Sequence, residues 1–94
     1  MSQFIVRVEL HGLLYNHPSY TMLNTAMERA GFVRTILYSG RLYHMPPAEY
    51  NKTSNESTQV ILNSVKTIAN PITRDNGVMV TKSAEFMQDG LRPI

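Results

Sequence analysis

Residues Gln3 to Leu10 read Q-F-I-V-R-V-E-L, an alternation that puts Phe4, Val6, Val8 and Leu10 on one side of an extended chain and Ile5, Arg7 and Glu9 on the other. A half-buried strand is predicted. After a loop over Gly12 to Asn16 the apolar spacing becomes helical: Tyr20, Leu23, Met27 and Ala30 recur at three- and four-residue intervals, and Pro18 suits the first turn, where its missing N–H costs nothing. The spacing predicts a helix from Pro18 to Ala30, closed by Gly31, with His17 serving its start. Phe32 to Tyr38 and Arg41 to Met45 are aromatic and β-branched runs joined by Ser39-Gly40, a hairpin-length turn that sets Tyr38 opposite Arg41 and Ile36 opposite Tyr43. Pro46-Pro47 ends regular pairing, and the polar stretch Ala48 to Glu56 reads as a surface loop. Thr53 with Glu56 fits a capping box, with Asn55 as the alternative cap, for a second helix in which Val60, Ile61, Val65 and Ile68 face one way and Asn70-Pro71 is the stop. A last strand is predicted at Val78 to Thr81 after the turn Asp75-Asn76-Gly77.

Strand, helix, hairpin, helix, strand is the β-α-β-β-α-β order of the ferredoxin-like split unit. The expectation is therefore an α+β domain over residues 1–82, a four-stranded antiparallel sheet with two helices on one face, followed by a mobile tail over 83–94. Phe4, Val6, Val8, Val33, Leu37, Leu42, Val78 and Val80 should meet the helices. Ile5, Arg7, Glu9, Arg34, Ile36, Tyr38, Arg41, Tyr43 and Met79 should line the open face.

Composition narrows the chemistry. The 94 residues include no cysteine, which excludes a disulfide scaffold, a thiolate zinc site and a cysteine nucleophile. Nine Lys and Arg against seven Asp and Glu give a net charge of +2, so nucleic-acid binding would depend on arginines gathered on one face. With neither a signal-peptide pattern nor a long apolar run, the protein is expected in the cytoplasm and off the membrane. The serines lack a Gly-x-Ser-x-Gly elbow, and no phosphate-cradling glycine motif is present, so neither serine hydrolysis nor a nucleotide cofactor is expected.

The residues left to carry function are few. Arg7, Arg34 and Arg41 share the predicted open face with Tyr38 and Tyr43, the mix of guanidinium groups and rings that binds phosphates and stacks on single-stranded bases. The same residues also suit a solvated sheet face or a protein interface. Glu9 and His11 fall two positions apart on one side of the first strand, where a carboxylate and an imidazole can share a water or a metal, or where Glu9 can pair with Arg7 or Arg34. His44 alternates onto the helix-facing side beside Leu42, as a half-buried core histidine or as an acid in a reaction.

Three segments, Phe4 to His11, Ala26 to Phe32, and Tyr43-His44-Met45-Pro46-Pro47-Ala48-Glu49-Tyr50, resemble a family of small gammaproteobacterial proteins that includes the GhoS-type endoribonuclease antitoxin of type V toxin-antitoxin systems. The resemblance spans residues 3–82. It implies a ferredoxin-like fold, a single-stranded mRNA substrate and a strand-end acidic residue at Glu9; the family's arginine-bearing first helix is represented here by Arg29 alone. Endoribonuclease action would use Glu9 or His11 as base, His44 as acid and Arg7, Arg34 and Arg41 against the phosphorane charge. The alternative is a non-catalytic module that binds nucleic acid or protein through the open face or a strand edge, and a homodimer through a sheet edge suits either reading.

Overall fold

The alternation at the start of the chain builds the central strand, and the other elements are placed by what they pack against it. In the computed structural model, which describes residues 1–94, the elements run β1 (Ser2–Leu10), α1 (Pro18–Arg29), β2 (Thr35–Tyr38), β3 (Arg41–His44), β4 (Glu49–Ser54), α2 (Thr58–Ala69) and β5 (Asn76–Ser83). β1 pairs antiparallel with β4 on one edge and β5 on the other, so that Val6 lies opposite both Tyr50 and Val80. Phe4, Val6, Val8 and Leu10 are buried under Tyr20, Leu23 and Met27 of α1 and Ile61, Val65 and Ala69 of α2. Both helices cover that one face.

Local chemistry fixes the ends of the helices. Pro18 opens α1 and the His17 Nδ1 accepts from the Ser19 N–H at 3.0 Å, as the sequence suggests. Gly31, at φ 88°, turns the chain so that the Phe32 N–H reaches the Met27 carbonyl and the Phe32 ring enters the core. The cap of α2 is neither Thr53 nor Asn55. Ser57 takes that place, its hydroxyl accepting from the Val60 N–H, while the Ser54 hydroxyl accepts from the Glu56 N–H one turn earlier. The buried stripe of α2 is accordingly Ile61, Val65 and Ala69, with Val60 exposed.

The single four-stranded sheet expected from the element order is not formed. A three-stranded sheet, β4-β1-β5, stands beside a separate two-stranded sheet, β2-β3, and the two meet at one bridge, Val33 to Asn51. The expected strand over 32–38 is divided in function. Phe32 is held in the core, Val33 exchanges both backbone hydrogen bonds with Asn51, and the chain then leaves β4 to form its own ladder with β3. That hairpin keeps the predicted register, Tyr38 with Arg41 and Ile36 with Tyr43, around a turn in which Ser39 and Gly40 both have positive φ.

The polar stretch assigned to a loop is strand β4. Its polar letters are explained by partners: the Asn51 amide donates to the Thr35 carbonyl, and the Lys52 ammonium donates to the Ala30 carbonyl at 3.0 Å while lying over the Phe32 ring. Tyr50 is fully buried among the core residues.

The hairpin stands outside the main sheet, and this changes which of its residues are covered. Ile36 is buried, whereas Val33, Leu37 and Leu42 are exposed, contrary to the assignment by alternation. Ile36 with Met45, Phe86 and Leu91 lines a shallow cavity of about 330 Å³ over Ile5 and Glu49, so the sheet face away from the helices is partly roofed. The chain after Ser83 returns along β3: the His44 N–H donates to the Arg92 carbonyl and the Ile94 N–H to the Leu42 carbonyl.

Two consequences are measurable. Leu23→Ala and Val65→Ala should each cost about 2–4 kcal/mol in denaturant-derived stability, because each leaves a cavity between helix and sheet; a change below about 0.5 kcal/mol would mark a surface residue. Truncation after Ser83 should accelerate hydrogen exchange at the His44 amide by removing its acceptor, with the amides of β1 unaffected.

Candidate nucleic-acid interface

The outward side of β1 carries Arg7 and Glu9, and His11 follows in the turn directly after the strand, with its ring against the Glu9 carboxylate. The Glu9 Oε1 lies 2.6 Å from the His11 Nδ1, and both side chains are about half exposed, at 55% and 45%. The carboxylate therefore orients the ring through Nδ1 and leaves Nε2 as the nitrogen not bound by Glu9. Across the β1–β5 ladder Glu9 faces Gly77, and the His11 ring lies over that glycine, with Nε2 3.4 Å from where a Cβ would stand. Arg7 is drawn above its ordinary pKa chiefly by the Tyr15 hydroxyl as hydrogen-bond partner, and then by Glu49 opposite it on β4 and by Glu9.

Tyr15 also stands at a second feature, a cleft of about 820 Å³ between α1 and the foot of the hairpin. Its helical wall is Tyr20, Asn24 and Glu28, one residue per turn, and its other wall includes Arg34 and His44. The Arg34 Nε donates to the Glu28 Oε1 at 3.2 Å, and the Asn24 Oδ1 accepts from the Tyr50 hydroxyl at 2.6 Å. The Tyr20 hydroxyl accepts from the Leu10 N–H at 2.8 Å, which anchors α1 to the end of β1. His44 lies on the side facing α1, as alternation predicts, but across an open cleft, so it is exposed and not half-buried.

The remaining candidates lie on the hairpin. The Tyr38 and Tyr43 rings meet edge-on, with centroids 6.4 Å apart, and Tyr38 also packs on Phe86 at 5.6 Å. Arg41 is exposed beside the turn. The eight candidate residues thus occupy three places: Arg7, Glu9 and His11 along the end of β1 and the turn after it, Arg34 and His44 in the cleft, and Tyr38, Arg41 and Tyr43 on the hairpin. They do not form one concave cluster.

Sequence reasoning missed Tyr15, Asn24, Glu28 and Phe86. Asn24 and Glu28 were legible as the i+4 and i+8 positions after Tyr20, a polar continuation of its stripe, whereas nothing in the sequence places Phe86 against Tyr38. No three His, Asp or Glu side chains converge as a metal site, and no helix is long and apolar enough to cross a membrane. Comparison with family models, with curated proteins and with solved structures finds no match to this chain.

Burial drives the Tyr50 hydroxyl well above its ordinary value of 10.0. Below about pH 10 the ring is protonated in both folded and unfolded chains; above it the unfolded chain releases the proton first, so stability falls as the pH rises further. Tyr50→Phe should remove this part of the alkaline slope, read as denaturant midpoints from pH 8 to 11, although it also leaves Asn24 without its donor. An unchanged slope would show that Tyr50 ionises as freely when folded as when unfolded.

Proposed function

We propose that this protein is an endoribonuclease of the antitoxin kind, acting in the cytoplasm on single-stranded mRNA through Arg7, Glu9 and His11. The observation that carries this reading is the 2.6 Å contact between the Glu9 carboxylate and the His11 ring, solvent-accessible and two residues along the strand from an exposed guanidinium. Glu9 holds the proton on Nδ1, which makes Nε2 the acceptor for a ribose 2′-hydroxyl proton. The freed oxygen attacks the adjacent phosphorus, the 5′-oxygen leaves and takes a proton from water, and the products are a 2′,3′-cyclic phosphate and a 5′-hydroxyl. Arg7 offsets the charge that gathers on the phosphorane oxygens. His44, on the far side of Tyr15 in the cleft, is assigned to binding along with Arg34, and the acid role expected of it is not retained.

A ferredoxin-like origin of the fold is part of the same proposal. Support comes from two helices on one face of β4-β1-β5 and from the Val33–Asn51 bridge, which adds a remnant of a fourth strand beside β4. β5 ends the ladder, so its outer edge is the one on which a second copy would pair.

A second reading, a non-catalytic binding module, is favoured by the dispersal of the candidate residues and by the Glu28 carboxylate that already pairs with Arg34. One set of measurements separates the two. On a single-stranded transcript, His11→Ala should lower the cleavage rate by about 10²–10⁴-fold and Glu9→Gln should also slow it, with RNA affinity retained in both. Arg7→Ala should weaken binding to unrelated sequences alike and reduce the salt slope of affinity by about 1. If the wild-type protein binds RNA without cleaving it, or does neither, the nuclease reading fails and the binding module stands.

A further inference from the structure

The polar wall of the cleft has a pattern that the cleavage chemistry does not use. On α1 the side chains of Tyr20, Asn24 and Glu28 are stacked one turn apart and face the opening. Tyr20 has its hydroxyl engaged by the Leu10 N–H, so it offers the cleft a ring surface, and the Tyr15 ring stands tilted against it at 5.1 Å. The Tyr50 hydroxyl engages Asn24 by donating to Oδ1, which leaves the Nδ2 amine of this cleft-lining residue as its available donor. Arg34 in turn donates to the Glu28 Oε1 and leaves Oε2, with the remaining lone pair of Oε1, to accept. A donor is thereby set one turn before a carboxylate that accepts twice.

We infer that this cleft is a base-recognition subsite selective for guanine. Along its Watson–Crick edge guanine presents an acceptor, O6, followed by two donors, N1–H and the N2 amine. Asn24 Nδ2 would donate to O6 while Glu28 accepts from N1–H and N2. Adenine and cytosine would turn ring acceptors toward the carboxylate, and uracil has one N–H to give it, so each leaves a charged acceptor or a buried amide unmatched. The volume of about 820 Å³ lies within the range of small-molecule sites and exceeds that of a single nucleotide. Tyr15, which lines the opening, is also the neighbour that chiefly raises the Arg7 pKa, so the cleft borders the side of the strand that carries Arg7. The inference rests on the RNA reading for its biological sense, but free nucleotides test it without any cleavage.

The experiment is a titration of the intact protein with GMP, IMP, AMP, CMP and UMP, followed by amide chemical shifts and by calorimetry. GMP should move the Asn24 and Glu28 amides and bind about tenfold or more tighter than AMP, CMP or UMP, with IMP, which lacks the N2 amine, in between. Glu28→Gln, at an exposed position that does not threaten folding, should bring GMP down to the level of AMP by replacing one acceptor with a donor. Equal affinity for all five nucleotides, shifts confined to residues outside the cleft, or no binding at millimolar GMP would overturn the proposal. RNA cleavage alongside any of those results would leave the nuclease reading standing without this subsite, and GMP selectivity without cleavage would leave the subsite standing without the nuclease.

Discussion

β1 is paired on both edges, and the period of two along it divides the molecule into a side that holds it together and a side that meets solvent. Phe4, Val6, Val8 and Leu10 cannot leave the core without turning Arg7 and Glu9 into it, since a slip of one residue exchanges the two faces. Burying an unpaired guanidinium or carboxylate would cost far more than any gain from the slip. The register that protects the core is therefore the same constraint that holds Arg7, Glu9 and His11 in one exposed line. Its C-terminal end is tied down as well: the Tyr20 hydroxyl takes the Leu10 N–H, and the His11 N–H reaches the Asp75 carbonyl.

Where local pattern and burial agree, the sequence was readable. The alternation of β1, the stripe of α1 with Pro18 before it and Gly31 after it, and the register of the Ser39-Gly40 hairpin follow from residues close to one another in the chain. β4 was hidden because its stability comes from partners distant in sequence. Asn51 and Lys52 look like loop residues until the Thr35 carbonyl, the Ala30 carbonyl and the Phe32 ring are placed beside them. The departure of the hairpin from the main sheet has the same origin. Nothing local in Phe32 to Tyr38 shows that the first residue belongs to the core, the second to a bridge and the last four to a separate ladder.

The candidate site was legible in part for a related reason. Glu9 and His11 could be placed together because an extended chain brings i and i+2 to one side, whereas the exposure of His44 depends on the open cleft between the hairpin and α1, which no local pattern reveals. Outside the main sheet, the hairpin sets Ile36 over Ile5 beneath the C-terminal segment, leaves Leu37 and Leu42 exposed, and forms with its foot the wall of the cleft opposite α1. The C-terminal segment steadies the arrangement by pairing with β3 and packing Phe86 on Tyr38.

The central claim is that a Glu-oriented histidine at the end of β1 activates a ribose hydroxyl. The most direct test is cleavage of a single-stranded RNA carrying one 2′-deoxy nucleotide at the cleaved position, compared with the all-ribose strand, with the product ends identified by mass. The account predicts a 2′,3′-cyclic phosphate and a 5′-hydroxyl from the ribose strand and no cleavage at the deoxy position. Cleavage of both strands at equal rates, with a hydroxyl on one side and a phosphate monoester on the other, would contradict it.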